Sequence, residues 1–491
     1  MEPAMSLAVK SLSAVKSSYT GTIIRIGAQF GAQILIMRQL DPELVGAFGY
    51  VLLLHGILAL IIDQGYGWSL IQGHFNDKRE IAIVFSRIML LSFIGMLCVF
   101  AISYPVADYL GNELVGSMFR YSAPSCLFIG FFSISQAALR AELRFREIQI
   151  ATTGAYLIAY PIVGVTMVLA GFGVWSLVAA WYVHYIFQVV IGHYYSPHSL
   201  RLANPFLPTK SGPMGRQVAG INVLNWAVDY SGGVFIGGMG ASALGNFNAA
   251  MMLARTPALH AVQTLQSILF STASTIGADQ QRIKRLYLAV LAAVSFIVFP
   301  AYGYAFTHAE LVIKIVFGSK WLDAAGIFSA LSIGMIAFSL SLLSGAILTA
   351  TGDQKTVLYS QMVCLMLMIV GLSLTINVSL AHVGLAITVA YTARLSLQLK
   401  AIAVRGGITL KEFLATLRGP FFVAIIMAMP VTSFGESPFG VIPTELLALA
   451  LKGLLLLVLF KVFPGFFFSL ASIDLLSRFR AGRQVVNMLG I

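Results

Sequence analysis

Apolar runs of about twenty residues, each closed by a turn or a cluster of charges, recur from one end of the chain to the other. Runs of that length predict membrane-spanning helices, because a membrane barrel shows short alternating strands instead. Fourteen windows are readable: 18–40, 46–70, 82–104, 117–139, 149–170, 174–196, 217–240, 246–272, 284–306, 325–351, 355–377, 383–404, 413–434 and 442–463. The pattern predicts an all-α polytopic membrane protein of about 14 transmembrane helices. Residues 464–491 predict a cytoplasmic amphipathic tail carrying Arg478, Arg480 and Arg483.

Composition agrees with the pattern. Of 491 residues, 58% are hydrophobic and only 10% charged, with mean hydropathy +0.87, whereas a soluble chain carries roughly 25% charged residues. Cys98, Cys126 and Cys364 all fall inside predicted spans and form no CxxC pair, so they read as packing residues. The first apolar segment is too long, and lacks the small-residue site, for a cleavable signal.

The net charge of +12 changes the picture only through its distribution. With the N-terminus inside, alternate connections and the termini hold twenty-three basic residues, among them Lys78, Arg79, Arg140, Arg144, Lys284 and Arg285. The opposite connections hold Lys314 and Lys320, or four if Arg38 and Arg120 are counted with them. Basic residues concentrate on the cytoplasmic side of membrane proteins, so both termini are expected inside. The charge is an orientation signal and no nucleic-acid partner is expected. The outer connections are short, and the largest, 307–324, has space for one interfacial helix. Function is therefore expected within the bilayer.

An internal repeat organises the spans. "LDPELVGAFGYVLLL" from Leu40 aligns with "MGASALGNFNAAMML" from Met239, pairing Gly46 with Gly245 and Phe48 with Phe247 at an offset of 199. "GVWSLVAA" from Gly173 aligns with "GLAITVAY" from Gly384 at an offset of 211. Two six-helix bundles in parallel pseudo-repeat around a central cavity are predicted, with two C-terminal helices added. The expected division is an N-terminal lobe over 1–200, a C-terminal lobe over 201–411, two appended helices over 412–463 and the tail.

Several segments resemble a known family. "LDPELVGAFGYVLLLHGILALIIDQGYGWSLIQ", "SAPSCLFIGFFSISQAALRAELRFREI", "AGFGVWSLV" and "DYSGGVFIGGMGASALGNFNAAMML" resemble bacterial polysaccharide flippases. These belong to the multidrug/oligosaccharidyl-lipid/polysaccharide exporter superfamily, and the resemblance covers roughly residues 15–410. It implies two lobes around a cavity. It also implies export of undecaprenyl-diphosphate-linked oligosaccharide repeat units, of the O-antigen or exopolysaccharide type, to the periplasmic leaflet. Membrane lipid and a polysaccharide polymerase are the further partners to expect.

Polar residues inside the spans are the candidate chemistry. An arginine at the centre of a membrane helix costs at least about 2.5–3.5 kcal/mol and normally faces a cavity. Arg25, Gln29 and Gln33 recur at i, i+4 and i+8; Asn222, Asn225 and Asp229 recur at i, i+3 and i+7. Arg255 precedes Pro257 in the following span. A guanidinium bonds phosphate oxygens in pairs and stays charged, so Arg25 and Arg255, with Gln29, Gln33, Asn222 and Asn225, are candidates for holding a diphosphate and sugars. The alternative is that each arginine neutralises a carboxylate. Asp229 and Asp63 are candidates for coupling H+ or Na+, or for pairing and helix-end bonding.

Arg394 reads as a third cavity arginine or a snorkelling one, and Lys452 as facing a lipid-tail groove or reaching the interface. His55 and His184 read as hydrogen-bonded packing residues. Tyr19, Tyr156, Tyr160, Trp175, Trp181, Tyr182 and Trp226 read as interface anchors or sugar-stacking faces.

No cofactor or metal is expected: the sequence has no Walker loop, DxD, HExxH, GxSxG or metal-ligand cluster. A drug antiporter of the same superfamily, which needs an acidic cavity, and a membrane polymerase or ligase, which needs larger outer loops, are the alternative functions.

Overall fold

The computed structural model describes residues 26–63, 78–142, 144–197, 201–207, 212–276, 279–375, 377–429 and 441–467. Arg25, Tyr19 and the tail arginines lie outside the described residues. Secondary structure among the described residues is helical: α1 (26–39), α2 (Pro42–Asp63), α3 (Lys78–Leu110), α4 (Glu113–Ser122), α5 (Ser125–Ala141), α6 (Phe145–Leu169), α7 (Trp175–Tyr195) and α8 (Gly212–Gly237). There follow α9 (Ala241–Ile276), α10 (Gln280–Thr307), α11 (Ala309–Val316), α12 (Ala324–Ala350), α13 (Gln354–Thr375), α14 (Leu380–Gly406), α15 (Leu410–Ala428) and α16 (Val441–Val462).

Eight of these helices are long and apolar enough to cross a membrane, or nine if α4 and α5, bent by 42° at Ala123–Pro124, form one span. The long helix α9 carries polar residues along its length, among them Asn246, Arg255, Gln263 and Gln266. The short α11 occupies the connection expected to hold one interfacial helix.

Local chemistry sets the helix ends. Asn112, Asp279 and Ser379 accept hydrogen bonds from first-turn amides of α4, α10 and α14. Thr409 and Glu412 form a reciprocal capping box at the start of α15. The "GFG" turn between α6 and α7 reverses the chain with both glycines at positive φ, 87° for Gly171 and 55° for Gly173.

The chain forms two compact units: Met1–Trp226 with Gly237–Gly245 and Val316–Lys320, and Ala227–Ile236 with Asn246–Ile315 and Trp321–Ile491. In the first unit the start of α2 crosses the start of α9 without clearance. A Cβ on Gly46 would overlap the Ala241 carbonyl, and one on Gly245 would overlap the Pro42 carbonyl. The contact is reciprocal, and the offset of 199 that aligns the two sequence segments also relates Pro42 to Ala241. Small residues let membrane helices approach this closely. Nearby, Tyr50 donates to the Gly237 carbonyl at 2.6 Å, Arg38 caps the C-terminus of α11 at the Val316 carbonyl at 2.9 Å, and Lys320 pairs with Asp41 at 3.1 Å.

In the second unit α12 is the central helix. It is buried along most of its length by small and apolar residues from Ala324 to Leu348. Large apolar side chains point outward elsewhere, including Met366 and Val370 on α13 and Leu446, Leu447 and Leu454 on α16. Such surfaces are stable in lipid and costly in water.

Lys452 is turned onto the end of a neighbouring helix. It is 8% exposed and donates to the Met427 carbonyl at 3.0 Å, with its ammonium 5.6 Å from the Tyr304 ring. Met427 lies in the last turn of α15, so the ammonium caps unpaired carbonyls at the negative end of that helix.

Candidate functional site

In the first unit, α1 places Gln29 and Gln33 one turn apart on a half-buried face. The Tyr156 hydroxyl is buried near both amides, without a hydrogen-bond partner. Tyr156 sits between two π-helical turns of α6, Ile150–Gly154 and Ile158–Gly164, the second containing Pro161. Widened turns of this kind often accompany functional sites. They bring Tyr156 and Tyr160 into a stack at 4.6 Å, with the edge of His184 6.0 Å from Tyr156. His184 bonds Gln188 at 3.0 Å, and the aromatic chain continues through Tyr185 and Trp181 to His55. His55, 1% exposed, contacts the Val51 and Ser122 carbonyls. Both histidines are thus hydrogen-bonded packing residues, as their isolation in apolar sequence suggests. Tyr156 and Tyr160 stack on each other, and Trp181 meets Phe48, His55 and Tyr185 edge-on within the unit.

Asp63 ends α2 and accepts a hydrogen bond from Ser133 at 2.6 Å, within electrostatic reach of Arg140. The glycines that follow it, Gly65 and Gly67, to which helix-end bonding is the alternative, lie outside the described residues. Asn222 and Asn225 lie on adjacent turns of α8, Asn222 half-buried and Asn225 more exposed.

In the second unit, Asp229 from α8 and Arg255 from α9 form an ion pair at 2.7 Å. Their sequence separation gives no sign of this, since the pair closes a helix–turn–helix hairpin. The Arg255 guanidinium also sits 5.4 Å from the Phe338 ring on α12, while its Nε is buried without a partner. Arg394, in the middle of α14, lies within electrostatic reach of both members. The three groups hold two positive charges and one negative among mainly apolar helices. The network therefore favours an anion and can bind one without forming or breaking a bond. Among the described residues no group of three or more His, Cys, Asp and Glu could hold a metal ion.

Comparison with known proteins places the chain in a family. Residues 35–326, more than half of the chain, match the family model described as "Polysaccharide biosynthesis protein". The chain belongs to the polysaccharide biosynthesis protein family. Within it, the chain is 23% identical over 325 residues to the lipopolysaccharide biosynthesis protein WzxC of Escherichia coli (strain K12), covering 65% of each chain. It is 23% identical over 335 residues to the succinoglycan biosynthesis transport protein ExoT of Rhizobium meliloti (strain 1021), covering 67% of this chain and 65% of that one. The chain thus spans about two thirds of the length of the curated relatives it matches.

The family member's fold is similar to that of the lipid II flippase MurJ in an inward closed conformation. The TM-score is 0.70 at 13% identity, over 91% of this chain and 98% of MurJ. An inward-facing multidrug resistance MATE family transporter of the MOP superfamily gives 0.56 at 16% identity, over 78% and 98%. These similarities are of fold.

Proposed function

We propose that the protein is a transporter rather than an enzyme, and that it translocates undecaprenyl-diphosphate-linked oligosaccharide repeat units from the cytoplasmic to the periplasmic leaflet. The observation that carries this is the Asp229–Arg255–Arg394 network, a net positive charge kept inside apolar helices at an energetic cost. Membership of a polysaccharide biosynthesis family supports it, as does the similarity to the succinoglycan biosynthesis transport protein ExoT.

Arg25 and Arg255 bind the diphosphate, with Gln29, Gln33, Asn222 and Asn225 on the adjoining sugars; the isoprenoid stays in lipid. The chain crosses a bacterial inner membrane fourteen times, as two six-helix lobes and two appended helices, with both termini in the cytoplasm. Asp229 and Asp63 are the carboxylates through which H+ or Na+ would couple, and a polysaccharide polymerase is the partner that would consume the exported unit.

The test is reconstitution into vesicles with an undecaprenyl-diphosphate-linked oligosaccharide, reading the fraction of glycan that becomes accessible to a glycosidase on the far side. Arg25→Ala should abolish transfer and Arg25→Lys retain part of it, because lysine keeps the charge without the bidentate fork. Wild-type vesicles no faster than empty ones would remove the reading.

A further inference from the structure

Arg394 has a buried environment that the ion pair does not account for. It is 9% exposed, its Nε is buried without a hydrogen-bond partner, and among the described residues it forms no ion pair. It lines a cavity of about 370 Å3 wholly within the second unit. That volume lies within the range of about 300–1,000 Å3 usual for small-molecule sites. α9 contributes Gln263, Gln266, Ser267 and Phe270, which recur at i, i+3, i+4 and i+7, and α12 contributes Ser341 and Thr349.

The hydrogen-bonding state of these groups narrows the ligand. Ser267 donates to the Thr264 carbonyl at 2.8 Å, Ser341 to Phe338 at 2.8 Å and Thr349 to Gly345 at 2.7 Å. Each hydroxyl proton is committed to its own helix, so each oxygen offers the cavity only acceptor lone pairs. The amides of Gln263 and Gln266 have no protein partner among the described residues, and each can both donate and accept. Phe270 adds an apolar face. The cavity therefore combines one cation, three acceptors that need O–H donors, and two free amides. An ionised phosphate satisfies the cation but has no proton for the three hydroxyl oxygens. A carboxylate on a ring of hydroxyls satisfies all of them.

We propose that this cavity is a subsite for an acidic sugar, its carboxylate on the Arg394 guanidinium and its hydroxyls on Gln263, Gln266 and the oxygens of Ser267, Ser341 and Thr349. The proposal deepens the transport reading and rests on it for the claim that the sugar belongs to the cargo glycan. On the orientation set by the basic residues, the subsite occupies the cytoplasmic half of its helices. There it would select acidic repeat units before translocation.

The experiment uses the full chain in lipid nanodiscs with D-glucuronate, D-glucose and inorganic pyrophosphate as probes, read by saturation-transfer NMR and competition. Glucuronate should bind at least about tenfold more tightly than glucose, the usual worth of one charge-assisted bond, and pyrophosphate should not displace it. Arg394→Gln should remove that preference while leaving glucose binding unchanged. Gln266→Leu should weaken both sugars alike and keeps the test decisive if the arginine variant folds poorly. Equal binding of the two sugars to the wild type, an unchanged preference in Arg394→Gln, or displacement of glucuronate by pyrophosphate would each overturn the subsite. The vesicle assay separates the two readings. Failure to translocate with sugar selectivity intact removes the transport claim alone; translocation with no selectivity removes the subsite alone.

Discussion

The two units bury polar groups of different kinds. In the first, the deep groups include neutral ones such as His55 on two carbonyls, His184 on Gln188 and Tyr156 near Gln29 and Gln33. Of its carboxylates, Asp63 stands at the end of α2 and Glu80 is buried in the first turn of α3. In the second, the deep groups include a cluster of ions, with Arg255 paired to Asp229 and Arg394 unpaired beside them. Neutral hydrogen bonds between membrane helices contribute about 0.6 kcal/mol on average and serve to fix packing. Buried ions cost more than they return, so keeping them in the second unit points to work on a charged ligand.

If the first unit depends on close packing and the second on pairing, each should fail under a different kind of substitution. Gly46→Val should have the largest effect, preventing accumulation of folded protein, because its first added carbon overlaps the Ala241 carbonyl. Gly95→Ala is the control: its nearest neighbours lie at 3.8 Å, and membrane expression should stay near wild type. Fluorescence size-exclusion profiles would show both. Equal profiles for the two variants would contradict the packing account.

Asp229→Asn should come next. It leaves two cations facing each other; with both partners of the pair partly exposed, a loss of about 2 kcal/mol is expected in thermal unfolding in detergent. The double variant Asp229→Leu with Arg255→Met should recover most of that stability while translocation stays lost. Recovery of transport along with stability would make the pair purely structural.

His184→Leu should cost about 1 kcal/mol or less, since one neutral bond to Gln188 is lost while the aromatic contacts persist in part. A loss as large as that of Asp229→Asn would erase the contrast between the units.

The smallest effect concerns a surface ion pair. Glu412 sits 2.6 Å from Lys284 and accepts from the Thr409 amide and hydroxyl. Bonding to Lys284, then to Thr409, lowers its carboxyl from the ordinary 4.5 to about 2. Because the folded value is depressed, this contribution is complete above pH 4.5 and is lost as pH falls through about 2. Glu412→Gln should lower the melting temperature slightly at neutral pH and leave it unchanged below about pH 2, flattening the acid limb. A loss at acid pH as large as that at neutral pH would contradict this account.

The sequence by itself determined the helical class, because uninterrupted apolar runs in a membrane must satisfy their backbone internally. It also marked faces. The spacing of Asn222, Asn225 and Asp229 and of Gln29 and Gln33 identifies polar stripes, and the alignment of Gly46 with Gly245 marked two segments that meet in the folded chain. Periodicity names a face but not its partner. Only tertiary structure joined Asp229 to Arg255, set Arg394 in one cavity with Gln263 and Gln266, and turned Lys452 onto the Met427 carbonyl. It also stacked Tyr156 on Tyr160 between two π-helical turns that no residue pattern announced. The stripe from Gln263 to Phe270 was readable at helical spacing, but its meaning depended on an arginine more than a hundred residues away. The physical reason is that local sequence sets the backbone hydrogen bonds of a helix, whereas the charge a polar face meets is chosen by which helices pack against it.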